Sequence, residues 1–178
     1  KTMSEIALVA QLKDKFGDGI VAVELDAIDA WVEVTASALI GVCEFLRDVK
    51  DYHFDMCNCI TAIDYLHTDA KKAEKVDWAP HLELVYHLSS IATKLTLVIK
   101  VKIPRWKDEA AQQLPEIPSV AGVWTTAIWH EREVYDLSGV NFIGHPELKR
   151  ILCPDDWEGY PLRKDYEMPL EYHGMRGR

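Results

Sequence analysis

Metal-ligating or acid–base side chains fall close together in His130-Glu131-Arg132-Glu133, in Cys57-Asn58-Cys59 and in His145-Pro146-Glu147. The first invites a zinc reading, but the zinc-protease pattern needs a second His four residues after the first, and position 134 is Val. At about 100° per residue the four side chains also point different ways around a helix. Cys57 and Cys59, placed in a strand, point to one face, whereas metal and redox pairs are usually spaced C-x-x-C in a turn. With Cys43 they read as core packing. An iron–sulfur cluster needs a compact cysteine set, and Cys153 stands apart from the others. His145 as a general base would need an orienting carboxylate and a nucleophile. Glu147 is near, yet no Ser or Cys sits in a strained elbow. Asp155, Asp156 and Glu158 read as a solvated or arginine-paired loop, interrupted by Trp157 and Gly159. No glycine-rich phosphate loop occurs. The residues therefore predict no catalytic, metal or cofactor site.

What the charges predict instead is pairing. Glu131, Arg132, Glu133 and Asp136 fall on several faces of one helix, intermixed with Trp129, Val134, Tyr135 and Leu137. Arg132 and Asp136 are spaced i, i+4 and could pair, in the less favourable order. A buried charge left alone costs several kcal/mol, so partners are expected. Arg150, Arg163 and Lys164 are the candidates; separate solvated charges are the alternative.

The elements that must position these residues follow from periodicity. Residues 4–16 place Leu8, Leu12 and Phe16 on one helical stripe, with Gly17 as its stop. Short strands are expected at 20–25, with Val21, Val23 and Leu25 inward, and at 31–34. A helix over 36–49 carries Leu39, Val42, Cys43, Leu46 and Val49 on one face. Strands over 54–66, 81–89 and 94–103 follow; Leu82, Leu84, Tyr86 and Leu88, then Leu95, Leu97, Ile99, Val101 and Ile103, alternate with polar or lysine positions. Such alternation suits a sheet covered on one side. The expected fold is α+β: a mostly antiparallel sheet covered by helices, with an extended irregular C-terminal tail. Residues 68–77 and 104–118 read as loops, and 125–137 as the last helix, stopped by Gly139.

Regular structure is expected to cease there, dividing the chain into a domain at 1–138 and a tail at 139–178. The tail holds Pro146, Pro154, Pro161 and Pro169 among its glycines. A stretch this long without helix or strand is uncommon inside a compact domain. Its Phe142, Leu148, Ile151, Trp157, Tyr160, Leu162 and Tyr166 suit an interface with another protein. Folding back onto its own domain is the alternative for part of it.

Composition narrows the classes. A chain of 178 residues with 48% hydrophobic residues can bury a core. A net charge of -9 argues against nucleic acid, whose binding rests on Lys and Arg neutralising phosphates. The longest apolar run, 95–103, is broken by Lys100 and Lys102, so membrane contact is expected only through partners. KTMSEIALVAQL has neither a long apolar signal core nor the Arg-rich character of a transit peptide. Reduced cytosolic thiols are expected.

Three ordered blocks resemble a known family. They are Glu131-Arg132-Glu133-x-Tyr135-Asp136, then Gly144-His145-Pro146-x-Leu148-x-Arg150, then Gly159-Tyr160-Pro161-Leu162-Arg163-Lys164-Asp165-Tyr166. Together they resemble the C-terminal motif of the thirty-kilodalton subunit, or C subunit, of proton-pumping NADH:quinone oxidoreductase (respiratory complex I). The likeness extends upstream through residues 55–65, 82–88 and 95–103, and through Pro118-Ser119-Val120 with Trp124. It departs at Ser138, where the family usually carries an aromatic, and at Cys153.

The resemblance implies a scaffold without cofactor in the peripheral arm, on the cytoplasmic side of the bacterial inner membrane. It implies a hetero-oligomer in which the chain docks on the quinone-site D subunit and lies near the cluster-bearing B subunit. The three blocks, with Trp157, would form the interface or structural motif. An equivalent subunit of a membrane-bound hydrogenase or of a ferredoxin-linked quinone oxidoreductase is the alternative.

Overall fold

The computed structural model describes residues 3–176. Lys1, Thr2, Gly177 and Arg178, the outermost ends of the two expected segments, lie outside the described residues. Helix α1 (Met3–Phe16) buries Leu8, Val9 and Leu12 and ends at Gly17. Strands β1 (Ile20–Glu24) and β2 (Trp31–Val34) form an antiparallel pair. Helix α2 (Leu39–Asp48) follows, burying Leu39, Val42, Cys43 and Leu46 as its periodicity requires. Then come β3 (Met56–Tyr65), the short helix α3 (Ala70–Ala73), β4 (His81–Ser89) and β5 (Thr96–Ile103).

The strands build a five-stranded sheet in the order β1-β2-β5-β4-β3. Within this sheet the β1–β2, β5–β4 and β4–β3 pairings are antiparallel and β2–β5 is parallel, so the expected mostly antiparallel α+β sheet is what forms. On the face toward the helices, Leu82, Leu84, Tyr86 and Leu88 of β4 are at most 1% exposed, and Leu97, Ile99, Val101 and Ile103 lie opposite them on β5. The other face is covered by its own long side chains. Lys102 Nζ lies 3.0 Å from Glu33, and Lys100 Nζ lies 3.7 Å from Glu83 and 4.5 Å from the centre of the Trp31 ring. The lysine stems shield apolar surface while their heads stay polar, consistent with the burial of Val85 and Val98 there.

Several expectations need correction. The register of β1 shifts between Ile20 and Ala22, so Ile20 is buried and Val21 is 56% exposed, while Val23 and Leu25 pack against the core as expected. A bulge between Cys57 and Cys59 has the same effect in β3: Cys57 is buried and Cys59 is exposed. The two thiols therefore do not share a face. The connection at 68–77 contains α3, though Lys71, Glu74 and Lys75 are exposed as expected.

The loop at 104–118 ends in strand β6 (Glu116–Pro118), and regular structure does not cease at Gly139. After helix α4 (Ala127–Ser138), strand β7 (Asn141–Ile143) pairs in parallel with β6, placing Ile117 beside Phe142. A hairpin of β8 (Glu171–Tyr172) and β9 (Met175–Arg176) lies near the C-terminus. Val140 and Phe142 belong to the core, so the buried unit runs past position 138. Among the described residues no helix is long and apolar enough to cross a membrane.

Candidate docking site

Helix α4 is held on the edge strand β3 by its approach. Trp124 Nε1 donates to the Phe54 carbonyl at 2.9 Å, and Thr126 Oγ1 to that of Cys57 at 3.1 Å. The helix stops at Gly139, whose φ of 67° places it in the left-handed region. A side chain there would also strike Tyr160, because an added Cβ would lie 2.6 Å from its ring. Only glycine lets the tail cross so close to the helix end.

Asp136 is the hub of that crossing. Its fully buried carboxylate accepts the amides of Ile151, Leu152 and Cys153 at 3.0, 2.7 and 2.8 Å. It also accepts Arg150 Nη1 at 2.7 Å. Burial alone pushes this carboxyl up, but the amides and the guanidinium together outweigh it and hold it at about 2. The other Nη hydrogens of Arg150 go to the carbonyls of Asp136, Trp157 and Gly159. Arg132 reaches the Lys149 and Arg150 carbonyls instead of Asp136, whose oxygens are occupied; the i, i+4 pairing is therefore not made.

A second knot ties the tail to the sheet. Arg105, just past β5, makes a two-toothed contact with Asp64 of β3 at 2.8 and 2.9 Å and reaches Asp165 at 2.7 Å. The Lys164 amide also donates to Asp64. Arg163 is buried and makes no ion pair among the described residues. Its guanidinium donates to the Ser138, Gly139 and Arg105 carbonyls at 2.6, 3.0 and 2.8 Å, and lies 4.6 Å from the centre of the Trp106 ring. His145 joins the helix start: Nε2 lies 3.0 Å from the Ile128 carbonyl and Nδ1 accepts the Glu147 amide, which fixes the Nε2–H tautomer.

Glu131 is the exception to the expected ion pairing. It is fully buried, and what it accepts is the Ser119 hydroxyl at 2.5 Å and the Val120 amide at 2.7 Å. Desolvation outweighs those two bonds and pushes its carboxyl up to about 7. An unfolded glutamate titrates near ~4.3, so the folded chain holds an extra proton between there and about 7. The stability this provides is full below the unfolded value and is lost as pH rises to about 7, on the order of 3 kcal/mol in all. Glu131→Gln removes the charge and keeps both contacts, its oxygen accepting the Val120 amide and its NH2 donating to the Ser119 hydroxyl oxygen. Urea melts of the variant should vary less between pH 5 and 8 than those of the wild type and be more stable at the upper end. A variant whose melts fall with pH as steeply as wild type would place the titration elsewhere.

Of the residues expected to form the interface or structural motif, Glu131, Arg132, Asp136 and Arg163 are buried, while Tyr135, His145, Arg150, Trp157, Pro161 and Tyr166 are half-buried. Glu133, Gly144, Pro146, Gly159, Leu162, Lys164 and Asp165 face outward. Asp64, Arg105, Trp106 and Ser119 belong to the same constellation and were not expected from sequence. Asp64 gave a signal, a charge at an inward position of a strand. His130-x-x-Glu133 gathers no ligand set. Among the described residues no group of three His, Cys, Asp or Glu side chains could hold a metal ion.

The fold and these knots define an α+β domain whose last helix is laced to its own C-terminal segment. Residues 32–172 match the model of the respiratory-chain NADH dehydrogenase thirty-kilodalton subunit, and the chain belongs to that family. Proteins named as the C subunit of NADH-quinone oxidoreductase are similar to it. That of Chlorobium phaeobacteroides is 39% identical, covering 93% of this chain and 90% of the relative. That of Geobacter sulfurreducens is 40% identical, covering 90% and 88%. That of Chloroherpeton thalassium is 38% identical over 93% of this chain, which spans only 62% of that relative's length. Among solved structures, the trypsin-resistant fragment of Nqo5 superposes with a TM-score of 0.59 at 25% identity, covering 82% of this chain and all of the fragment. A chain of an archaeal membrane-bound sulfane sulfur reductase, a respiratory membrane complex, does so with 0.66 at 28% identity, covering 92% of this chain and 86% of that one.

Proposed function

We propose that this chain serves as the thirty-kilodalton C subunit of an NADH:quinone oxidoreductase, a scaffold in the peripheral arm without a cofactor or active site of its own. In this reading it docks on the quinone-site D subunit, lies near the cluster-bearing B subunit, and meets the membrane only through the complex, on its cytoplasmic side. Electrons pass from NADH to quinone through the partners, and this chain keeps them in register. A misplacement of 1 Å can cost on the order of a hundredfold in rate, so a protein that touches no substrate can still govern turnover.

The observation that carries the reading is the division of labour within the motif. Its arginines and Asp136 are turned inward to fix the tail's path. Leu152, Leu162, Met168, Leu170 and Met175, by contrast, stand between 58% and 77% exposed. Apolar side chains gathered on one segment mark a contact surface, where singly scattered ones would not. Because Val140 and Phe142 are core, the docking segment proposed here begins beyond Ile143.

Purification of the native complex, with photo-crosslinkers at positions 162 and 170, tests this. Crosslinks to the quinone-site partner, in a preparation that also holds an NADH-oxidising flavoprotein, are expected. A nickel–iron protein in its place would favour the hydrogenase alternative. A sulfane sulfur reductase partner would favour the complex of the archaeal likeness. A chain recovered alone would refute docking.

A further inference from the structure

Glu131 and Tyr86 are buried polar groups that the fold gathers into one cluster and leaves incompletely matched. Both are fully buried, Glu131 on α4 and Tyr86 on the face of β4 toward the helices. The Tyr86 hydroxyl makes no hydrogen bond among the described residues, an uncommon state for a buried donor. Glu131 has two partners, the Ser119 hydroxyl and the Val120 amide, where an ionised carboxylate can accept about four bonds. The titratable groups that feel its charge through space are Tyr86, Cys57 of β3 and Cys43 of α2, all acids that burial keeps neutral. No cation is among them. On α4 itself Arg132 is committed to the Lys149 and Arg150 carbonyls, and His130 points about 100° away around the helix. Burial without a cation favours the protonated carboxyl. Its ionised form is short of donors, and the Tyr86 O–H is an idle one in the same cluster.

The two groups that Glu131 holds are tied to much else. The Ser119 amide donates to the Ile143 carbonyl at 2.9 Å, and β6, which ends at Pro118, pairs with β7. The Val120 carbonyl accepts the Val123 and Trp124 amides at 2.9 and 3.0 Å. The clasp therefore fastens the approach to α4 and, through β7, the root of the C-terminal segment. We propose that Glu131 and Tyr86 form a proton-operated latch. With its proton the carboxyl holds Ser119 and Val120; on losing it to water, the carboxylate turns to the Tyr86 hydroxyl and loosens residues 119–121 and β7 from α4. A hydrogen bond to an ionised acceptor is about twice as strong as a neutral one, so the hydroxyl idle in the closed state becomes a strong donor in the open one. The open state fills as pH rises through about 7, where burial has moved this carboxyl. Protonation closes the latch, and the alkaline side frees the segment.

Hydrogen exchange of the full chain, corrected for the chemical rate, tests the latch at the amides of 119–121 and 141–143. In the wild type their protection should fall about tenfold per pH unit from about pH 5 to 7 and level off above, with β4 and β5 unaffected. Glu131→Gln, which has no proton to lose, should keep those amides equally protected throughout. Tyr86→Phe removes the donor of the open state, so the levelling should move up by about one pH unit. If Glu131→Gln keeps the wild-type fall, another group carries it and the latch is wrong. If Tyr86→Phe levels where the wild type does, the hydroxyl is not the second partner and the proposal fails. Equal loss of protection in β4 and β5 would mean global unfolding and would also overturn it. Carboxyl carbon-13 shifts of the wild type need no variant, and a Glu131 resonance titrating near ~4.3 would by itself sink the latch.

Discussion

Replacing Asp136 with Ala should destabilise the domain by on the order of 4–5 kcal/mol, the largest effect expected of any substitution in the chain. Its carboxylate receives three consecutive backbone amides and the Arg150 guanidinium. Without it the amides of Ile151, Leu152 and Cys153 lose their acceptor. A hydrogen bond to a charged group contributes about 1.5–3 kcal/mol, and leaving a buried cation unpaired adds to the loss. Arg150 also ties the helix end to Trp157 and Gly159, so the damage should spread along the tail. Urea melts would give the stability, and hydrogen exchange at residues 151–153 would show the local opening. Exchange there that matches wild type would contradict the account. The acid limb follows from the same bonds. Asp136 is held at about 2 against an ordinary 3.8, so its contribution is full above 3.8 and is lost as pH falls through about 2. That limb should vanish in Asp136→Ala.

Arg163→Ala should cost nearly as much, on the order of 3–5 kcal/mol, for a different reason. A direct ion pair is not what is lost, because the carboxylates that act on Arg163 through space, Asp64 and Asp165, are bonded to Arg105. What is lost is the donor to the Ser138, Gly139 and Arg105 carbonyls, each left buried without a partner at roughly 1–3 kcal/mol less some relaxation. Arg163→Lys should recover little, since one ammonium cannot match a planar fork that reaches three carbonyls. In cells, the expected phenotype of Arg163→Ala is less assembled complex. If Arg163→Lys melts like wild type, the fork geometry carries less than assigned here.

Much of the fold was legible because burial imposes period on sequence. The stripes of α1 and α2 and the alternation of β4 and β5 are long and one-sided, and each element formed where those periods placed it. What escaped were departures from period. The bulge at Cys57–Cys59 adds a residue to one strand, and nothing in the side chains announces it. The pairing of β6 with β7 is set by tertiary packing of Ile117 and Phe142, in segments too short to show alternation. In the site, the Asp136–Arg150 pairing followed the expectation that buried helix charges find partners in the tail. Arg163 was expected to act as an ion-pair partner and is a carbonyl clasp, because a guanidinium's donors can serve backbone as readily as carboxylate. Glu131 found a hydroxyl and an amide where a cation was expected, and its carboxyl moved toward neutrality instead. Asp64 and Arg105, far apart in sequence, could be joined only by the sheet.

The scaffold reading is tested most directly by NADH:quinone reductase activity measured per assembled complex, with Arg163→Ala in place of the native chain. Loss of assembly with turnover per assembled complex near wild type is the predicted result. A complex that assembles in full and fails to turn over would contradict it, because the chain would then take part in the chemistry it is held only to frame.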